Sequence, residues 1–130
     1  MKQDRVNAQM DELFSAALRA CEQGTSTSDF EQSFERLLEF ILDYPECRPS
    51  AEQRFIAHLA DGSMGWELAG YCMHTLRMPA VKEEALRLLA LTHDSRLNNT
   101  LARVLASFED DWDDAVLYRR YSSLRSPPEP

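Results

Sequence analysis

Phe30-Glu31-Gln32-Ser33-Phe34-Glu35-Arg36-Leu37-Leu38-Glu39-Phe40-Ile41-Leu42 brings large apolar residues back at steps of three and four. Phe30, Phe34, Leu37, Leu38, Ile41 and Leu42 therefore share one face of an α-helix. Ser28 followed by Glu31 has capping-box spacing, and Asp29 suits the positive end of a helix, so the start is expected near Ser28. Tyr44-Pro45-Glu46-Cys47-Arg48-Pro49 then interrupts the helical pattern twice.

The same period runs outward in both directions. Val6, Met10, Leu13, Phe14, Ala17, Leu18 and Cys21 predict a first helix from about Gln3 to Glu22, ended by Gly24. Downstream, Ser50 with Gln53 reads as a second capping box, opening a short helix with Phe55, Ile56 and Leu59 that Asp61-Gly62 closes. Trp66 begins a fourth helix, with Leu68, Ala69, Cys72, Met73 and Leu76 as apolar positions. Pro79 stops it and pre-sets the first turn of a fifth. Asp94 or Ser95 can cap a sixth, carrying Leu97, Leu101, Val104, Leu105 and Phe108. Ala115, Val116, Leu117, Tyr118 and Tyr121 are assigned to a last short helix.

No run alternates at period two. The expected fold is all-α, with six or seven antiparallel helices in a bundle or a short HEAT-like α-solenoid. Residues 1–125 form a single helical domain, and 126–130, Ser-Pro-Pro-Glu-Pro, are expected to be a disordered tail. Phe34, Leu38, Leu68, Cys72, Leu86, Leu89, Leu101 and Leu105 are expected in the core.

A chain of 130 residues with 44% apolar content can bury a core of its own. Its net charge of −8 opposes phosphate binding, which needs clustered Lys and Arg, and it equally opposes anionic membranes. No apolar stretch approaches the roughly 20 residues that span a bilayer. The start, Met1-Lys2-Gln3-Asp4-Arg5, runs into amphipathic sequence with no apolar signal segment. Cys21, Cys47 and Cys72 are widely spaced and odd in number, which predicts free thiols and a cytoplasmic location.

Catalytic and metal-binding patterns are missing. His58 has Asp61 at i+3 but no third or fourth ligand, Cys72 and His74 are two apart and point to different faces, and His93 stands beside Asp94 at a helix start, so neither metal nor cofactor is expected. Gly24, Gly62, Gly65 and Gly70 are scattered and form no phosphate loop. A nucleophile pairing Cys72 with His58 or His74 stays open, because such groups assemble in space. Trp66 is expected to pack in the core.

The unusual local feature is Glu109-Asp110-Asp111-Trp112-Asp113-Asp114, five acids around one tryptophan. Aspartates cap helices, and Trp112 could pack inward. Capping accounts for two or three of the acids but not all five. The other reading is a docking patch, in which carboxylates attract a basic partner and the tryptophan supplies an interface anchor. These six residues are the candidate partner-binding site, and Asp110, Asp111, Asp113 and Asp114 are expected to be solvent-exposed.

Gly65-Trp66-Glu67-Leu68-Ala69-Gly70-Tyr71-Cys72-Met73-His74-Thr75-Leu76-Arg77-Met78-Pro79, with Phe108-Glu109-Asp110-Asp111-Trp112-Asp113-Asp114 downstream, resembles a family of small bacterial helical proteins of HEAT-like character. These are similar to immunity proteins of interbacterial toxin systems. The resemblance spans roughly the C-terminal half. It implies a cytosolic, non-enzymatic protein that binds and neutralises a cognate toxin, and it carries over no contact residue. The function expected is a protein-binding module with a basic toxin domain as partner. An adaptor, a chaperone or a structural subunit of a larger complex is the alternative, followed by a small hydrolytic enzyme. The helical stripe itself is directly testable. Leu101→Ala is expected to lower stability by about 2–5 kcal/mol in urea unfolding, the range for a buried leucine. Wild-type stability would mean the stripe is misread.

Overall fold

A computed structural model of the chain describes residues 2–23 and 27–125, with side chains for 4–22 and 30–122. Seven α-helices follow one another among these residues, with no strand: α1 Lys2–Gln23, α2 Thr27–Asp43, α3 Arg48–Asp61, α4 Trp66–Leu76, α5 Pro79–Leu91, α6 Ser95–Ala106 and α7 Arg119–Arg125. Short 3-10 turns at Pro45–Cys47 and Asp113–Leu117 precede α3 and α7. The fold is an all-α bundle or short solenoid. The expected end at Gly24 and the expected tail at 126–130 fall outside the described residues. No described helix is long and apolar enough to cross a membrane.

The middle of the molecule is α4. Seven of its eleven residues are buried, Leu68, Ala69, Gly70, Tyr71, Cys72, Met73 and Leu76, so it is apolar almost all round, as a helix enclosed by others must be. It packs against α1, α2 and α6, while α5 packs against α3 and α6. The core joins Met10, Phe14 and Ala17 of α1 to Phe34, Leu37, Leu38 and Ile41 of α2. Phe55 of α3 enters it edge-on against Phe14, with ring centroids 4.9 Å apart.

The helix ends show why the chain turns where it does. Gly62 takes the left-handed conformation, φ +78°, and its neighbour's N–H returns to the His58 carbonyl, closing α3 as Asp61-Gly62 predicts. Asp94 caps α6 by accepting from the N–H groups of Arg96 at 2.8 Å and Leu97 at 3.3 Å. The linker from α4 to α5 is only Arg77 and Met78. Arg77 there has φ +49°, the only positive φ outside glycine among the described residues.

Several expectations are corrected. Ser50 and Gln53 form no capping box: α3 begins at Arg48, directly from the preceding 3-10 turn, and no side chain caps it. Ser50 lies inside the helix, and its carbonyl accepts from Arg54 at 3.0 Å. Glu31 turns toward the far end of the chain, where its buried carboxylate accepts from the N–H groups of Arg119 at 2.9 Å and Arg120 at 3.0 Å. Leu86 is 49% exposed, and Leu89 and Leu105 are half-buried. For Leu86 the reason is position: α5 lies at the edge, turns Val81 and Ala85 inward, and leaves Leu86 on an uncovered side. Phe34, Leu38, Leu68, Cys72 and Leu101 are fully buried, as expected. Trp66 packs only partly against the core. The last expected helix is divided between the second 3-10 turn and α7, and Val116 and Leu117 point outward.

Gly70 marks the tightest contact. A β-carbon placed there would stand 2.9 Å from Cζ2 of Trp112, inside the distance real β-carbons keep. Helix propensity favours Gly70→Ala by about 1 kcal/mol. Overpacking opposes it by about 1–3 kcal/mol, because the indole is itself enclosed and cannot retreat. Gly70→Ala is therefore expected to destabilise the protein in urea unfolding. A more stable variant would show that Trp112 yields.

Candidate functional site

The acidic stretch lies between α6 and α7, and its shape follows from a change of period. At its end α6 tightens: Ser107, Phe108 and Glu109 each donate their N–H three residues back, at 3.1 Å. Further on, the same three-residue step recurs from Ala115 to Trp112, Tyr118 to Ala115 and Tyr121 to Tyr118. A period of three puts every third residue on the same side, and Trp112, Ala115, Tyr118 and Tyr121 are all buried. Their neighbours are left to face solvent or the surface side chains.

Trp112 is 1% exposed, so of the two readings of its role the inward one holds. The indole stacks on Tyr118 at 5.7 Å and meets His74 at 4.9 Å and Tyr121 at 5.7 Å. Tyr71 joins the cluster edge-on with Tyr118 and Tyr121, and the Tyr121 hydroxyl bonds Thr75 at 2.7 Å and the Tyr71 carbonyl. Burial drives the hydroxyl pKa values of Tyr71 and Tyr118 upward and that of Tyr121 up to about 12, so the cluster stays neutral.

Two arginines fix the stretch from outside. Arg77 donates Nε to the His74 carbonyl at 2.8 Å, Nη1 to the Phe108 carbonyl at 2.7 Å and Nη2 to Asp110 at 3.3 Å. One guanidinium thus serves a carbonyl in the last turn of α4 and one in the turn just beyond α6, near helix C-termini whose dipoles favour a cation. Arg103 binds Asp114 through two parallel bonds, 3.1 and 3.0 Å, and lies 3.5 Å over the Trp66 ring. The bond to Asp114 is the main reason its guanidinium pKa is raised.

The five acids therefore divide. Asp114 is held by Arg103 with 19% of its side chain exposed, against the expectation that it faces solvent. Asp110 is fully exposed, and its pairing with Arg77 adds little in water. Glu109, Asp111 and Asp113 are exposed and form no ion pair among the described residues. The stretch that the sequence singles out is thus a loop held by two arginines, with three carboxylates that form no ion pair among the described residues. Neither arginine was legible in this role, because Arg77 and Phe108 lie 31 residues apart and no local pattern joins them.

The other chemistry is held apart. Cys72 is fully buried, and desolvation pushes its thiol pKa well above the usual range. Burial also pushes Cys21 up to about 12. His74 spends Nδ1 on the Ser107 carbonyl at 2.9 Å, and His58 pairs Nδ1 with the Ser63 hydroxyl at 2.7 Å while stacking on Phe14. No group of three or more His, Cys, Asp or Glu among the described residues could hold a metal ion. A shallow cleft of about 310 Å³ lies between the end of α3 and α6, walled by Leu59, Met64, Leu97 and Leu101 with Asp94 and Arg96 at its mouth.

Compared with protein-family models, curated proteins and solved structures, the chain matches none.

The left-handed Arg77 gives a test that separates backbone from side chain. Arg77→Ala removes the bonds to two carbonyls and keeps the unfavourable φ, so a loss of about 2 kcal/mol is expected. Arg77→Gly removes the same bonds but fits the backbone, and is expected to lose about 1 kcal/mol less. Urea unfolding of both variants measures this, and a glycine variant less stable than the alanine one would contradict it.

Proposed function

We propose that the protein is a non-enzymatic binding module whose partner is a basic protein domain, and that it acts as an immunity protein neutralising a cognate bacterial toxin. The observation that carries the binding reading is the loop after α6. Its backbone is anchored by the buried Trp112, Ala115 and Tyr118 and by two arginine clamps, while Glu109, Asp111 and Asp113 stay exposed and form no ion pair among the described residues. Clustered like charges oppose folding slightly and are best used where an opposite charge arrives. The toxin assignment rests on the resemblance of segments 65–79 and 108–114 to immunity proteins and their HEAT-like relatives.

The burial of Trp112 refines the proposed contact. A partner meets the carboxylates, and the indole acts from beneath by holding them in place. Asp110 and Asp114 belong to the clamps, so the informative variant changes only Glu109→Gln, Asp111→Asn and Asp113→Asn. Its thermal midpoint is expected to match wild type. Its association with the cognate toxin domain, followed by stopped flow at two salt concentrations, is expected to slow by about ten-fold at low salt and to depend less on salt. Co-expression of the wild-type chain is expected to protect cells from that toxin. Unchanged kinetics in the variant would remove the loop from the interface, and absence of both binding and protection across basic toxin domains would overturn the reading.

A further inference from the structure

The cleft between the end of α3 and α6 has two unlike halves. On α6, Leu97 and Leu101 lie four residues apart and form one stripe, and Arg96 and Thr100 form the stripe beside it. Leu59 and Met64 close the opposite wall, and both are buried, as is Leu101, so the floor is apolar. Gly62 also lines the cleft, in the left-handed conformation that ends α3, and puts no side chain into it. Met64 is held in place through its N–H, which donates to the His58 carbonyl at 3.3 Å. The volume, about 310 Å³, lies at the lower end of small-molecule pockets, which run from roughly 300 to 1,000 Å³.

The charges at the mouth are not equivalent. The Asp94 carboxylate is spent on the start of α6, where it accepts from the N–H groups of Arg96 and Leu97 and the helix dipole offsets its charge. The Arg96 guanidinium has no such partner. It is exposed and forms no ion pair among the described residues. The charge left uncompensated at the edge of the apolar floor is therefore positive. Thr100, one helical turn further on, adds a hydroxyl on the same side.

We infer that this cleft binds a small molecule with a short apolar body and one anionic group, a carboxylate in the simplest case. The apolar body lies on Leu59, Met64, Leu97 and Leu101, and the anion meets the Arg96 guanidinium, whose paired N–H groups match a carboxylate. This activity is separate from the protein partner proposed for the acidic loop, and either can hold without the other.

Three probes with one alkyl chain and different heads test this on the full chain: octanoate, octanol and octylammonium. Followed by amide shifts of the isotope-labelled protein, octanoate is expected to bind about ten-fold tighter than the other two. The shifts are expected to concentrate in residues 59–65 and 96–101. Arg96→Gln is expected to bring octanoate level with octanol at an unchanged thermal midpoint, since the guanidinium is exposed and the capped N–H belongs to the backbone. Thr100→Phe, which sets a ring against the cleft, is expected to weaken all three probes. The inference is overturned if octylammonium binds as tightly as octanoate, if the shifts map elsewhere or fail to appear at millimolar probe, or if the octanoate preference survives Arg96→Gln. It is equally overturned if a peptide ending in leucine with a free carboxylate binds far tighter than octanoate, which would make the cleft a site for a protein chain end. Shifts of the same residues with protein concentration alone would give the cleft to a second copy and overturn it too.

Discussion

The approach of Trp112 to Gly70 is the constraint on which the C-terminal third of the structure depends. A residue without a side chain in the most buried helix leaves a space that one indole fills. The cost of glycine within a helix, about 1 kcal/mol, is small beside the burial of a tryptophan. With the indole seated, Tyr118 stacks on it and Tyr121 meets its edge. The three-residue period of the following chain is the backbone's way of delivering Ala115, Tyr118 and Tyr121 to the same side. The outward direction of Val116, Leu117 and the free carboxylates is a consequence of that inward requirement.

Electrostatics then sorts the acids by distance to a guanidinium. A bidentate pair that is partly shielded from water, such as Arg103 with Asp114, holds its geometry better than an open one such as Arg77 with Asp110. Arg77 matters less through that carboxylate than through the carbonyls it takes from two helix ends. Its left-handed backbone places the side chain between those ends, so an unfavourable local conformation is held by nonlocal hydrogen bonds.

The sequence displayed the helices because each carries its own periodic stripe. The stripe of α2 and the punctuation at Asp61-Gly62, Pro79 and Asp94 are local features with local outcomes. What was not legible depended on neighbours distant in sequence. Leu86 fits an apolar stripe, but whether another helix covers that stripe is decided by the placing of α5 at an edge. Glu31 sits at the spacing of a capping box and serves a different helix. Ala115, Val116, Leu117 and Tyr118 suit an α-helix by composition, and only the seat provided for Trp112 imposes the tighter turn. The acidic run itself stood out as a sequence feature. Its division into clamped and free carboxylates required Arg77 and Arg103, which no short pattern connects to it.

The Glu31 carboxylate has a consequence for the order in which the chain becomes structured. It reaches the N–H groups at the start of α7 across 88 and 89 residues of sequence. During synthesis, α2 emerges long before those groups exist, and a carboxylate in that position must remain hydrated until they arrive. The region around Glu31 therefore cannot close fully until residues 119 and 120 are in place. Long-range closure of this kind is intrinsically slow, because the intervening chain must be ordered first. α7 thus works as a latch: its first turn supplies the donors that let this seam of the interior close.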